Sequence, residues 1–578
     1  MGDLYNSGRE TDIRKYRSSD GKLTLNKKVV NKLILITSLI VCIIWILFLQ
    51  GNFPGFQELR HSDPLWLVHS LYPVYYAIIG FFLLIFVVMF YLKCDSQTVH
   101  ISYLSLLSLI IYGTPYFLST YARFPDTISV AGNVLALENV LLNQPHSYPA
   151  NYPASYIFFK CIHIVSNLDL LYFARMIFAP LCLVGIIILW YIFISRQINV
   201  QVAFLSSILM IPTQIVEISI TPNSFAILLM LTALILYSVP KSKIILGSSQ
   251  NDPHNHQKDP AVAVSPAHVK KYNYQKISYN ILLFIVMVVL ILAHPVNALI
   301  FLVMVSIFYI SDRVFATRNF GISLKGLLFL CLIWVWWLVS ITTSGESLVR
   351  TLYRMISTES AVEVAVQYST GSTGFVYSYI DQLFAFKYAL YGFFALLLLL
   401  YVVYEYIRYI NRRKHFQLPI TFLAISGILV AITMLNLMRG GTDIQNIISR
   451  TLNFAMYSLC TFIAGSVLSL TDLRPKIARS IKIVFVLILV FILLTYPVYS
   501  FARDSYINYP SSEGAGRAFE AENCLQDEKF YMAKSKATYF HSYMYGEITY
   551  DEMMRDYNNF ISGDKVYSND WYSLGVKT

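Results

Sequence analysis

The chain alternates between long runs of apolar residues and short polar stretches. A helix that crosses a bilayer needs about 20 mostly apolar residues. Thirteen runs approach that length, so the pattern predicts an all-α polytopic membrane protein with about 13 transmembrane helices. The runs lie at 33–50, 74–92, 101–119, 171–194, 200–218, 222–239, 277–293, 296–311, 326–342, 387–407, 418–437, 452–470 and 481–500.

Two pairs of runs have almost no polar spacer between them. Ile220-Thr221-Pro222 separates one pair, and His294-Pro295 separates the other. A single helix of ~40 residues would be much longer than the ~30 Å hydrocarbon core at ~1.5 Å per residue. Each pair therefore predicts a tight helical hairpin.

Composition narrows the class of protein further. Of 578 residues, 56% are hydrophobic and 13% are charged, against about 25% charged residues in a typical soluble domain. This excludes a soluble enzyme, a disordered chain and a coiled coil. The net charge of +11 does not indicate a nucleic-acid partner, because the basic residues form short clusters between apolar runs and not one patch.

The position of the basic clusters predicts the orientation. With the N-terminus in the cytoplasm, most of the 44 Lys and Arg residues fall in cytoplasmic segments, as the positive-inside rule requires. The C-terminus is then extracytoplasmic, in a plasma membrane or an ER-type membrane. The predicted regions are a basic N-terminus (1–32), a two-helix addition (33–100), a membrane core (101–500) and an extracytoplasmic tail (501–578), which is expected to be helical around 545–560 with a strand at 565–568.

Three long loops interrupt the core. The segment 240–276 is a cytoplasmic linker, and 343–386 is an external loop with Arg350 and Arg354. The external loop 120–170 is too long for a simple connection. Its pattern predicts an amphipathic helix over 127–139, a stretch stiffened by prolines, and a second short helix over 154–168 that lies in the membrane interface.

Ionisable residues at the external membrane edge are candidates for function. Asp126 begins the long external loop, where its carboxylate can accept a proton from a hydroxyl or cap the helix that follows. Glu217 lies near the external end of its run, as a second carboxylate or as the partner of an Arg. Glu138 and Asp63 are further external acids.

A second group of candidates carries positive charge or N–H donors. Arg450 and Arg439 flank an external loop, and each can hold a phosphate or reach toward lipid headgroups. Arg175 lies about one turn into its run. His294 at the hairpin tip can donate to a phosphate or cap the hairpin. We predict no metal site, because no acidic cluster demands one.

The sequence contains neither GxxxxGK[ST] nor a GxGxxG that follows a strand. Its cytoplasmic loops are too short for an ATPase. We therefore expect no nucleotide cofactor and no nucleic-acid partner. The substrate should be already activated, carried by a membrane lipid and used on the external side.

Several short motifs occur in a recognisable order. They are Phe124-Pro-Asp126, Tyr148-Pro-Ala-Asn-Tyr-Pro153, Ala174-Arg175, Ile220-Thr-Pro-Asn-Ser-Phe225, Ala293-His-Pro295 and Ser449-Arg450-Thr-Leu-Asn-Phe454. Over roughly 101–470 this order resembles the GT-C superfamily of integral-membrane glycosyltransferases, which includes the protein O-mannosyltransferases.

The resemblance implies a fold and a reaction. A GT-C-like enzyme transfers a sugar, as a hexosyl- or pentosyltransferase, from a polyprenyl (dolichyl) phosphate donor to an acceptor hydroxyl, with inversion. The matching base is Asp126. Because family members usually carry this residue in their first external loop, Asp63 stays in reserve and the helices before residue 100 are an addition.

The resemblance also implies binding residues and partners. Arg450, Arg175, His294 and Arg439 are placed around the donor phosphate, and Tyr148, Asn151 and Tyr152 near the sugar or the acceptor. The acceptor is a glycan or a protein of the cell envelope, and the tail is expected to recognise it. The sequence assigns no oligomeric state.

Two other functions stay open. A lipid-linked glycan ligase or polymerase also has many spans with external Arg and His, and would place Arg350 and Arg354 at its centre. A transporter or flippase would need ionisable residues in the middle of several spans or helices broken at the midplane.

Overall fold

The structure is a computed structural model of the whole chain. Apart from a small sheet in the tail, its described part is helical. The residues described are 27–52, 73–118, 125–135, 137, 148–213, 218–237, 281–315, 324–340, 378–408, 413–437, 444–473, 475–502, 530–532, 564–568 and 573–576.

The helices follow one another along the chain with short described connections. In chain order they are α1 (Lys27–Asn52), α2 (Val74–Tyr91), α3 (Gln97–Leu118), α4 (Pro125–Leu135), α5 (Tyr148–Asn151), α6 (Pro153–Ser166), α7 (Leu170–Gln197), α8 (Val200–Met210), α9 (Pro222–Tyr237), α10 (Ile281–Ala293), α11 (Pro295–Phe315), α12 (Leu324–Ser340), α13 (Ser378–Arg408), α14 (Arg413–Leu437), α15 (Ile444–Leu473) and α16 (Pro475–Ala502).

Every predicted apolar run has an apolar helix in the structure. Within the described ranges, seven helices are long and apolar enough to cross a membrane, and six further apolar helices are shorter. The polytopic helical character is therefore confirmed. The number of spans and their orientation stay predictions, because length and composition do not decide either of them.

The first predicted hairpin wraps around α7. Asn199 caps α8, its Oδ1 accepting from the backbone N–H of Val202 at 2.7 Å. The indole N–H of Trp190 donates to Ser206 at 3.1 Å, and Cys182 lies against the carbonyl of Ser224. Helix α8 therefore runs antiparallel to α7, and α9 runs parallel to it. Helix α7 lies between these two arms of the hairpin.

Two short helices occupy the predicted external loop. The helix predicted over 127–139 is α4, and the one predicted over 154–168 is α6. They pack against each other, and the ammonium of Lys160 on α6 donates to the carbonyl of Leu135 at the end of α4 at 2.9 Å. The side of α6 that faces away from its buried residues is apolar and exposed, up to 86% at Val165.

Side-chain contacts join helix ends into two groups. At one end, which we call the His294 end, Lys387 bonds to Pro212 and Tyr116 bonds to Ile218. The predicted topology assigns Lys387 and His294 to the external side and places the other three residues in the external halves of their predicted spans. Helix ends that the charge pattern assigns to one side of the membrane thus lie together.

The other end, which we call the Asp95 end, collects helix ends predicted to be cytoplasmic. Gln201 donates to Asp95 at 2.7 Å, and Cys94 donates to Asn31 at 3.3 Å. The Ser311 and Thr421 hydroxyls are 2.5 Å apart. These contacts agree with the predicted alternation of the spans.

The tail contains a small antiparallel sheet of β1 (Phe530–Met532), β2 (Asp564–Ser568) and β3 (Ser573–Val576), with β3 in the centre. Tyr531 pairs with Gly575, and Lys565 pairs with the same glycine from the other side. Strand β2 occurs where a strand was predicted at 565–568. The helix predicted around 545–560 lies outside the described residues.

Candidate functional site

His294 is the residue around which the candidate site is built. It lies in the turn between α10 and α11 and is 1% exposed. Helix α11 begins at Pro295, a residue suited to the first helical position because its missing N–H would be unpaired there anyway. The Nδ1 atom of His294 accepts from the backbone N–H of Asn297 at 3.4 Å, so the imidazole caps the helix.

The second ring nitrogen of His294 has no partner among the described residues. Because a backbone N–H can only donate, Nδ1 must be the acceptor, and in the neutral imidazole the proton then lies on Nε2. A buried donor without an acceptor costs about 1–3 kcal/mol. The Nε2–H of His294 is therefore available to a hydrogen-bond acceptor from outside the described chain.

Aromatic packing holds the imidazole in place. The ring of Tyr152 stacks on the ring of His294, with centroids 5.1 Å apart and planes 13° apart. Ser155, one turn further along, donates to the carbonyl of Ala293 at 3.3 Å. The loop 120–170 thus reaches the second hairpin through the start of α6.

Two helix N-termini meet beside His294. The side-chain amide of Asn297 on α11 donates to the Oδ1 atom of Asn223 at 2.9 Å and to its backbone carbonyl at 3.3 Å. Asn223 is the second residue of α9, whose first turn is held by the hydroxyls of Thr221 and Ser224, 2.9 Å apart. The N-terminus of a helix carries partial positive charge and binds anions.

Arg450 adds a full positive charge to this region. Burial is the main reason that the pKa of His294 lies well below its usual value, and the charge of Arg450 lowers that pKa further. Arg450 is half-buried near the start of α15. Tyr152, Asn223, His294, Asn297 and Arg450 form what we call the His294 cluster.

The His294 cluster has the chemistry of an anion site. It combines a neutral N–H donor, two helix N-termini and a guanidinium, and such groups recognise phosphate and carboxylate. In the described ranges, no group of three His, Cys, Asp or Glu side chains occurs that would hold a metal ion.

For some of the other predicted site residues, the structure describes a position in the fold but no contact with His294. Asp126 is the second residue of α4, which packs against α6; its side chain is not described. Arg175 lies half-buried in a π-helical turn of α7, and none of the described contacts of His294 comes from it. Asn151 is buried, next to Tyr152. Tyr148 begins α5, and its side chain is not described.

Four predicted residues lie outside the described ranges altogether. They are Asp63, Glu138, Glu217 and Arg439. The structure therefore brings together two of the predicted phosphate-binding residues, His294 and Arg450, with one of the predicted sugar-binding residues, Tyr152.

Sequence reasoning missed Asn223 and Asn297. A signal for both is present, because each follows a proline by one or two residues at a predicted helix start: Thr221-Pro-Asn223 and His294-Pro-Val-Asn297. Nothing in the sequence indicated that these two helix starts bond to each other.

Comparison with known proteins adds little to this description of the site. No protein family model and no curated protein matches the chain. Among solved structures, it is similar to the crystal structure of the Archaeoglobus fulgidus oligosaccharyltransferase in the apo form, with 12% sequence identity and a TM-score of 0.38. The match covers 78% of this chain and 60% of that chain, so the chain spans 60% of the length of that protein.

Proposed function

We propose that the chain is a GT-C-type membrane glycosyltransferase. It moves a sugar from a polyprenyl (dolichyl) phosphate donor to an acceptor hydroxyl on the extracytoplasmic side, with inversion at the anomeric carbon. The observation that carries the proposal is the buried Nε2–H of His294, which has no hydrogen-bond acceptor among the described residues and feels the charge of Arg450. A lipid-borne phosphate is an acceptor of the right charge for that position.

The chemistry assigned to the cluster is stabilisation of a leaving group. Asp126 takes the proton of the acceptor hydroxyl, whose oxygen attacks the anomeric carbon. The bond from that carbon to the phosphate oxygen breaks, and the lipid phosphate leaves with an additional negative charge. N–H donors that already point to the developing charge stabilise the transition state more than the ground state.

The two helices of the external loop, α4 and α6, connect the proposed phosphate site with the proposed base. Tyr152 and Ser155 at the start of α6 contact the hairpin that carries His294, and α6 packs against α4, where Asp126 lies in the first turn. This packing supports Asp126 as the base because it ties the helix of Asp126 to the phosphate site through one rigid element.

The test is Asp126→Asn in cells that lack the wild-type chain. Loss of a general base costs about 10²–10⁴-fold in rate, so a polyprenyl-phosphate sugar should accumulate in lipid extracts measured by mass spectrometry. Asp169→Asn is the matched control. Asp169 is an exposed acid whose carboxylate caps α7 at 2.7 Å, and Asn caps helices equally well.

Three results would contradict the proposal. One is a wild-type lipid profile in cells that express folded, membrane-inserted Asp126→Asn protein. Another is accumulation of a pyrophosphate-linked oligosaccharide, which indicates a ligase or polymerase. The third is uptake of the sugar lipid into vesicles without any covalent product, which indicates a flippase.

A further inference from the structure

The tip of the first hairpin has an unusual set of hydrogen bonds. Helix α8 ends at Met210 and passes into a 3₁₀ turn, Ile211–Thr213. Four successive carbonyls there each accept from a different side chain. Tyr391 donates to Leu209 at 2.7 Å, Thr213 to Met210 at 2.8 Å, Tyr112 to Ile211, and Lys387 to Pro212 at 2.7 Å.

These bonds satisfy carbonyl groups at the buried end of a short helix. The last four carbonyls of a helix have no partner within the helix, and a polar group buried without a partner is costly in an apolar environment. Ile211, Pro212 and Thr213 are all fully buried. Donors from α3 and α13 therefore replace the next helical turn.

Lys387 is the amine donor of this set. It is 1% exposed, and its Nζ atom also lies 5.7 Å from the ring centre of Tyr496. Its Nζ atom carries N–H groups in either protonation state and donates one of them to the Pro212 carbonyl at 2.7 Å. The bond therefore satisfies a buried carbonyl that the helix itself leaves without a donor.

The other arm of the hairpin is held in the same way. Tyr116, one helical turn after Tyr112 on α3, donates to the carbonyl of Ile218 at 2.6 Å. The backbone N–H of Ser219 then donates to Ser224 at 3.2 Å, within the first turn of α9. Both arms of the tip are thus tied to the bundle immediately before Asn223.

We propose that Lys387 is a positioning residue for the His294 cluster, an inference that rests on the proposed function. Its amine holds the 3₁₀ turn at Pro212. Helix α3 joins that turn to Ile218, because Tyr112 bonds to Ile211 and Tyr116 bonds to Ile218. Ile218 leads into the first turn of α9, where Asn223 holds Asn297 at 2.9 Å. Asn297 in turn donates to His294. Lys387 acts through this chain of contacts and does not touch the lipid phosphate.

The test measures lipid-phosphate affinity and thermal stability in the same variants. The probe is farnesyl methyl phosphate, a phosphodiester with an isoprenoid chain and no sugar, bound to the full chain in nanodiscs. Lys387→Met should raise its Kd about tenfold, as expected for a loss of about 1.4 kcal/mol. Lys387→Arg, which keeps an N–H donor at the end of a long side chain, should restore most of the affinity.

Thr421→Val is the matched control for a loss of stability alone. It removes the buried contact with Ser311 at the Asp95 end, so it should lower the melting temperature and leave the Kd unchanged. If Lys387→Met does not fold, Tyr391→Phe decides. It removes the bond to Leu209 and keeps the aromatic ring, and it should raise the Kd about threefold, as expected for a loss of about 0.6 kcal/mol.

The failures of the two proposals are distinguishable. If the wild type binds the probe and Lys387→Met binds it equally well, the positioning role is wrong and the proposed function stands. In another outcome, Lys387→Met and Thr421→Val both raise the Kd, each in the same proportion to its fall in melting temperature. In that case the role of Lys387 is only structural. A wild type that does not bind the probe overturns the lipid-phosphate site and the inference with it.

Discussion

The two ends of the bundle each contain a buried histidine, and the two resemble each other closely. His100 near the Asp95 end and His294 are both 1% exposed. His100 stacks on Phe204 with ring centres 4.1 Å apart, and His294 stacks on Tyr152 at 5.1 Å. The Nε2 atom of each lacks a partner among the described residues. Burial and stacking therefore do not separate a core histidine from a functional one.

The hydrogen-bond partner of Nδ1 distinguishes His100 from His294. The Nδ1 atom of His100 faces the hydroxyl of Tyr191 at 3.2 Å, and a hydroxyl can donate or accept. His100 can therefore adopt the tautomer in which Nε2 carries no proton and no donor is left unpaired. His294 faces a backbone N–H, which only donates, so its Nε2 must carry a proton that needs an acceptor. A donor that must carry a proton and has no acceptor among the described residues therefore marks the candidate site.

The largest expected effect tests this comparison directly. His294→Phe and His100→Phe both keep an aromatic ring for stacking and remove the ring nitrogens. A hydrogen bond to a charged group contributes about 1.5–3 kcal/mol. His294→Phe should therefore weaken binding of farnesyl methyl phosphate about 10- to 100-fold, whereas His100→Phe should change it less than about twofold.

The measurement is equilibrium binding in nanodiscs, with the melting temperature of each variant recorded alongside. Equal losses of affinity in the two variants would show that the two histidines have the same role, and the distinction drawn from their Nδ1 partners would be wrong. His294→Gln, which offers an amide donor, should recover part of the affinity.

A second, smaller effect concerns pH. Burial first, and then the charge of Arg450, hold the pKa of His294 well below the usual value of 6.5. His294 therefore stays neutral in the folded protein, and the diester probe keeps its single charge. We expect its Kd to be constant between about pH 5.5 and pH 8, around the usual His pKa. A Kd that rises about tenfold over this range would show that His294 binds as an imidazolium.

The same depressed pKa affects stability with a definite sign. Below the usual pKa of about 6.5 the unfolded chain takes up a proton at this position and the folded chain does not. The contribution of His294 to stability is thus complete above that pH and is lost as the pH falls toward its folded pKa. The melting temperature should fall on acidification by less in His294→Phe than in the wild type.

The smallest expected effect concerns helix α6. This helix at the His294 end exposes Ile157, Cys161, Ile164 and Val165 on one side. We expect this side to enter the membrane interface, as amphipathic helices with one apolar face do. Val165→Ser should weaken probe binding less than about twofold, because the side chain of Val165 is 86% exposed and packs little against the rest of the described chain.

Cys161 makes the orientation of α6 measurable. A fluorophore on this exposed thiol, with Cys524 and Cys331 changed to Ser, should be quenched by lipids that carry a nitroxide on the acyl chain. The control is the same label on Asp169→Cys with Cys161 removed, since Asp169 is an exposed polar position after α6. Equal quenching at the two positions would contradict insertion of the apolar side.

Much of the helical fold follows from the chain itself. Each apolar run became a helix because a backbone in hydrocarbon must bond to itself. The starts of α9 and α11 were also predictable, since proline after a capping residue favours the first helical turn. The candidate site was predictable only in part: the family resemblance placed His294 and Arg450 around the donor phosphate and Tyr152 near the sugar or the acceptor, whereas Asn223 and Asn297 were not predicted.

The apolar runs dictate where helices form, because bilayer thickness and backbone hydrogen bonding act on local composition. Which polar groups pair depends on how the helices pack in three dimensions. Asn297 meets Asn223 across 74 positions, and Lys387 meets Pro212 across 175. No local pattern encodes such distant pairs. These distant pairs decide which helix starts lie together beside His294, whereas its tautomer follows from the contact with Asn297 three positions away.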